Sequence, residues 1–179
     1  MEVDIRDAVE DDAAAIATIW NQIIETGRYS ALDTPLTAEA QREFLADFSE
    51  RGIFIVAEAR QDHGLVGFQT LEPFASYTHA FDHVAVIGTC VDLSFHRRGV
   101  GRQLSQFGLA RAKEIGYEKL FTYVRADNHG ALSFYRGLGF RVVGTAKRHG
   151  KYGGRYVDSV FLERFLSGRN GEAEGRPRG

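Results

Sequence analysis

Several broad classes are excluded by what this 179-residue chain lacks. It has one cysteine, Cys90, so no internal disulfide can form, and the thiol's place in an apolar run reads as a small core residue rather than a nucleophile. Its 22 basic and 24 acidic residues leave a formal net charge of −2. That supplies no global positive field to draw the chain onto nucleic acid or an anionic membrane. No run approaches the ~18–20 apolar residues of a membrane span. The opening MEVDIRDAVEDD has neither the basic nor the apolar block of a signal peptide, so a cytoplasmic setting is expected. No pair among the six histidines has metal-ligand spacing with carboxylate support, and no metal is expected.

What is present suits an ordinary globular protein, 44% apolar and 26% charged. One domain over residues 1–166 is the natural reading. The tail from Ser167, SGRNGEAEGRPRG, carries no apolar residue beyond one alanine and is expected to be disordered over 167–179. Val3–Arg6 reads as a strand, and Glu10, Asp11 and Asp12 supply negative charge where a helix begins. Ile16, Ile19, Trp20, Ile23 and Ile24 then repeat at helical spacing up to Gly27. Thr37 is a plausible cap for a second helix to about Ser49, with Phe44, Leu45 and Phe48 inward. Ile53–Ala59 and Leu65–Leu71 read as a hairpin around a turn containing His63. Glu72–Asp82 is loop-like, and Val84–Val91 is a buried strand feeding a helix that ends at Gly116. Lys119–Val124, a helix over Asn128–Gly137, and strands Phe140–Thr145 and Arg155–Phe165 complete the pattern. The result is a mixed α/β, mainly antiparallel fold of about seven strands and about four helices, with parallel neighbours around one strand-helix-strand unit.

The most informative stretch is HRRGVGRQL, residues 96–104, lying between that buried strand and its helix. A glycine-containing basic turn at a helix start presents unpaired backbone N–H groups and the positive end of a dipole to one point. Gly99 and Gly101 keep side chains away from that point or permit positive φ, and Arg97, Arg98 and Arg102 add charge around it. A phosphate or pyrophosphate is the ligand this suits; solvated arginines on a tight turn are the bland alternative. No Lys-Ser or Lys-Thr follows the second glycine, and no third glycine stands at Leu104, so neither familiar nucleotide loop is present.

HRRGVG at 96–101 resembles the acetyl-CoA pyrophosphate loop of the GNAT N-acetyltransferases, and NHGALSFYRGLGF at 128–140 resembles their second diagnostic segment. WNQIIETG and GRYVDSVFLERFL are similar to the phosphinothricin acetyltransferase-like branch. The resemblance implies a sheet with a splayed parallel pair, here Val84–Val91 and Lys119–Val124, between which the acetyl-pantetheine arm lies. It implies cofactor contacts at Cys90, Val91, Arg97, Arg98, Gly99, Val100, Gly101, Arg102, Asn128 and Ala131, with Tyr135 near the thioester sulfur as the catalytic acid. Asn128 and Tyr135, seven residues apart, share a helix face to within about 20°. A buried aromatic remains the alternative for Tyr135.

The reaction implied is attack of a primary amine on acetyl-CoA with a thiolate leaving. An alkyl ammonium of pKa ~10.4 must lose its proton at a cost near 4–5 kcal/mol at neutral pH, so a base is wanted. Many relatives carry a glutamate where this chain has Val86. His83 is the first substitute, an exposed strand-end histidine being its plain alternative; Glu72 and His79 come second. Arg28, Lys147 and Arg155 are candidates for a substrate carboxylate, with solvated surface as the other reading. Expected partners are a small-molecule amine, such as an amino acid or amino-acid-like compound, and, from the resemblance, a second copy in a homodimer. The competing functions are acetylation of a protein or peptide amine and a non-catalytic acyl-CoA sensor. Two departures from the family pattern, His96 for Arg or Gln and Leu93 for Pro, affect side-chain contacts at the loop and leave its backbone donors in place.

Overall fold

A computed structural model describes residues 1–61 and 64–166. The tail expected to be disordered, and the hairpin-tip His63, lie outside the described residues. Seven strands form one sheet in the order β1-β2-β3-β4-β5-β7-β6. They are β1 (Val3–Asp7), β2 (Ile53–Ala59), β3 (Leu65–Pro73), β4 (Val84–Val91), β5 (Lys119–Arg125), β6 (Arg141–Tyr152) and β7 (Arg155–Phe165). Among the described residues four α-helices flank it: α1 (Ala13–Glu25), α2 (Ala38–Ala46), α3 (Val100–Ile115) and α4 (His129–Gly137). All pairings are antiparallel except β4 with β5.

Alternation within the strands divides the core between the two faces of the sheet. Ala85 and Ile87 of β4 join Leu120 and Val124 of β5 and Leu104 and Ala112 of α3 in one cluster, with Leu132 and Tyr135 of α4. Phe54, Val56, Phe68 and Cys90 point the other way, against Ile16, Ile19 and Ile23 of α1. This explains Cys90: it fills a packing position, and burial pushes its thiol pKa up.

Two elements differ from the sequence reading. The short strand expected over Phe140–Thr145 is a twelve-residue β6, joined to β7 through Gly153 and Gly154, whose φ values of +54° and +81° close the turn. Helix α2 ends at Ala46, and its single fully buried residue is Gln41. Phe44, expected to face inward, is 43% exposed, while Leu45 and Phe48 pack partly buried against the second cluster.

The parallel pair positions the site. β4 and β5 pair only at Val84–Lys119, Ala85–Leu120 and Val86–Phe121. Beyond those three rungs each strand stays bonded to its outer neighbour, β4 to β3 as far as Val91 and β5 to β7 as far as Arg125. The two strands therefore diverge, and a wedge opens through the sheet.

Candidate active site

At the wide end of the wedge, β4 runs into the basic turn. Asp92 accepts from the Ser94 amide at 2.8 Å and starts a short turn over Leu93–Phe95. Arg97 and Gly99 then take left-handed φ values of +60° and +86°, and α3 begins at Val100. Left-handed residues among right-handed neighbours turn successive N–H groups toward one side, and the first-turn amides of α3 have no intrahelical acceptor. The two glycines serve different ends. A Cβ on Gly99 would make only an ordinary contact, 3.9 Å from Gln103 Nε2, so conformation is what requires glycine there. A Cβ on Gly101 would lie 3.2 Å from Phe134, so that glycine lets α3 approach α4. His96 folds back, its Nε2 3.0 Å from the Val91 carbonyl. Its ring thus braces the end of β4.

In front of this cradle lies a cavity of about 650 Å3 lined by Cys90, Val91, Arg97, Gly99 and Val100, and further by Gly101, Arg102, Asn128, Ala131 and Tyr135. Of the residues expected to hold a cofactor, Arg98 alone is not on this wall; its guanidinium lies over the Phe95 ring, 5.3 Å from the centroid. A second cavity of about 600 Å3 lies beyond it. The two share Tyr29, Thr89, Cys90, Asn128, Ala131 and Tyr135, and so form one passage through the wedge. An elongated ligand with an anionic end at α3 would reach the second chamber beside Tyr135. The divergent strand edges leave main-chain groups along its path, and the donor set fits the pyrophosphate of acetyl-CoA.

Tyr135 stands at that junction, 5% exposed. Burial raises its pKa, opposed in part by hydrogen bonding with Thr89 and Thr122, one on each diverging strand. The phenol is thereby kept protonated. Behind it, the fully buried Gln69 donates to Thr89 Oγ1 at 2.8 Å and to Ser105 Oγ at 3.0 Å. Gly108 makes room for that amide: a Cβ there would come 2.0 Å from Gln69 Oε1. Asn128 is also held in place, its Oδ1 capping α4 through the Ala131 amide at 3.0 Å and its Nδ2 reaching the Tyr29 carbonyl at 3.4 Å.

The second chamber is roofed by Tyr29, Ser30, Ala31 and Leu32 and walled by Trp20, Phe44 and Phe68. Val86 lines it, and so does Glu72, its direct cross-strand partner on β3. Register partners on antiparallel strands put their side chains on one face, about 4.5–5.5 Å apart at Cβ. A carboxylate therefore stands one strand away from Val86, the position where the family resemblance implies a glutamate. Glu72 is solvent-exposed at the chamber mouth, and desolvation by the adjoining wall raises its pKa. His83 is exposed at the foot of β4 and does not line the chamber. His79 is also exposed and pairs with Asp82 at 3.0 Å.

The sequence reading missed Arg125. Its guanidinium grips Asp127 through Nε at 3.0 Å and Nη2 at 2.9 Å, donates to the Gly27 carbonyl at 2.9 Å, and lies 4.2 Å from the Tyr152 ring centroid. It ties the roof to the end of β5 and to the β6–β7 hairpin. The three cations considered for a carboxylate are elsewhere. Lys147 pairs with Asp158 at 2.9 Å, and Arg28 and Arg155 are exposed and off the chamber wall.

Residues 16–140 match the model of the Acetyltransferase (GNAT) family. A phosphinothricin N-acetyltransferase of Streptomyces coelicolor is 25% identical over 169 residues, covering 92% of this chain and 97% of its own. A mycothiol acetyltransferase of Corynebacterium aurimucosum is 40% identical over 78 residues; those cover 44% of this chain and only 25% of that longer protein. Among solved structures, a phosphinothricin acetyltransferase from Sinorhizobium meliloti in complex with acetyl-CoA superposes with a TM-score of 0.85 at 19% identity, covering 97% of this chain and 96% of its own.

Proposed function

The chain belongs to the GNAT family of acetyltransferases, and from that premise we propose that it acetylates the primary amine of an amino-acid-like small molecule, using acetyl-CoA. The observation that carries this reading is the shared wall between the two cavities: an anion cradle at one end, a roofed amine-sized chamber at the other, and Tyr135 between them. Bound acetyl-CoA supplies the thioester carbonyl that the amine attacks. The backbone amides from Arg97 to Arg102 hold the pyrophosphate. Glu72 attracts the ammonium and takes one proton from it, passing it to water, which frees the lone pair for attack; the new bond to carbon lowers the pKa of that nitrogen, whose second proton leaves as the carbon–sulfur bond breaks and ends on the departing thiolate. Tyr135, held neutral by burial, donates a hydrogen bond to the departing sulfur. A thiol of pKa ~8.5 needs no stronger acid.

The roof over residues 29–32 favours a small acceptor over a peptide, which would need an open groove. Glu72 answers the reason for suspecting a sensor, namely the absence of a carboxylate at Val86. We extend the reading to a cytoplasmic homodimer. No helix among the described residues is long and apolar enough to cross a membrane. Phe121, Tyr123 and Phe161 form an aromatic ledge, continued by Phe74 and Phe81, that leaves Tyr123 49% exposed and suits a second copy. Thiol release from acetyl-CoA, measured across a panel of amino acids, polyamines and peptides, tests the function. Acceleration by small amines is expected. Tight binding of acetyl-CoA with no amine-dependent release leaves a sensor, and acceleration by peptides alone leaves a peptide acetyltransferase.

A further inference from the structure

Gln41 is 3% exposed on the wall of the acceptor chamber, and its Nε2 has no hydrogen-bond partner. Folded proteins rarely leave a buried amide donor unpaired, and those that remain call for an explanation. Several other polar groups on this wall are engaged. Arg125 is held by Asp127 and by backbone carbonyls, Ser30 Oγ accepts from the Leu32 amide at 2.8 Å, and Asn128 caps α4. Around Gln41 the surface is apolar, formed by Leu36, Ala40 and Phe44. In such surroundings a single donor discriminates strongly, because a ligand lacking the matching acceptor leaves it unsatisfied.

We infer that Gln41 is a specificity-determining residue: a turn of its side chain brings the carboxamide donor, sealed off in the empty chamber, onto an oxygen carried by the acceptor amine, either a carboxylate oxygen or an oxygen on the side chain. The inference rests on the acetyl-transfer reading. It assigns recognition to a neutral donor on α2, in a chamber where the one lining cation, Arg125, is already paired. The acceptor is then an amine with an apolar body, anchored at Glu72 by nitrogen and at Gln41 by oxygen.

The test uses three amines of one skeleton: methionine, its decarboxylated amine, and the sulfone of that amine. The wild-type protein should favour at least one oxygen-bearing amine over the bare one by ~10-fold or more in kcat/KM. The arm that wins tells carboxylate from side-chain oxygen. Gln41→Leu should erase that preference and retain turnover of the bare amine, with the KM for acetyl-CoA unchanged. It should melt no lower than wild type, because no protein hydrogen bond to Nε2 is lost. Gln41→Met, closer in shape, is the second variant should leucine disturb α2. An oxygen preference that survives both substitutions, as it would if Gln41 merely held a trapped water, overturns the inference, and so does a wild type with no such preference. Absence of thiol release with every amine, despite acetyl-CoA binding, overturns the acetyl-transfer reading itself and this assignment with it.

Discussion

In the proposed reaction two side chains carry the chemistry, and their environments set opposite tasks. Burial holds the Tyr135 phenol in its neutral form, ready to donate. Desolvation raises the carboxyl of Glu72, which strengthens its affinity for a proton as a base requires. A base must be unprotonated, so the rate should fall as pH drops through the Glu72 pKa, at a value above the ordinary carboxyl range. Glu72→Gln should remove that acidic limb and lower kcat by ~100-fold or more. Because Val86 is the register partner of Glu72, adding Val86→Glu to that variant should restore the limb. A pH–rate profile of the three proteins checks this, and an unchanged limb in Glu72→Gln would return His83 to consideration. Tyr135→Phe should reduce kcat by roughly tenfold or more while leaving acetyl-CoA affinity near wild type, read by calorimetry. The resemblance of residues 128–140 to the family's second diagnostic segment implied Tyr135, and its spacing from Asn128 agreed with that. The sequence reading ranked His83 above Glu72 because cross-strand register is a long-range property, invisible in the order of residues.

At the level of elements, helix starts and glycine contacts decide whether the passage has the right width. Gly101→Ala would bring a methyl within 3.2 Å of Phe134 and push α3 away from α4. It should weaken acetyl-CoA binding by ~10-fold or more, equivalent to about 1.4 kcal/mol, with a small loss of melting temperature. Gly99→Ala should also cost binding, but for conformational reasons; Gly99→Asn, which tolerates left-handed φ, should recover part of the loss. Titration calorimetry on the three variants separates the two mechanisms. Most element boundaries were legible, Ile53–Ala59, Val84–Val91 and Arg155–Phe165 among them, because apolar runs and turn residues mark them plainly. β6 was underestimated because its residues are mostly exposed, and its later half, KRHGKY, carries no alternation to mark a strand. In α2 the apolar residues drew the reading, while the buried position belongs to Gln41.

Over the whole molecule, one face of the sheet at β5 and β7 carries the aromatic ledge of Phe121, Tyr123 and Phe161. If a second copy covers it, Phe161→Lys should convert a dimer to a monomer in sedimentation analysis, with the monomer retaining the native circular dichroism spectrum. A wild type that sediments as a monomer at micromolar concentration would refute the dimer. The general architecture was readable from the strand and helix order, whereas the ledge depends on which strands become neighbours.

The three rungs joining β4 to β5 have a wider consequence. A sheet split part-way along its length has two inward-facing edges, and bare edges ordinarily invite foreign strands. Here the seam is shut at its base, bordered by α4 and topped by the segment that Arg125 secures, so it is less open than an outer edge. Amide protons of residues 87–91 should accordingly exchange quickly in the empty protein where they face the seam, and slow sharply once a slender ligand laces it closed.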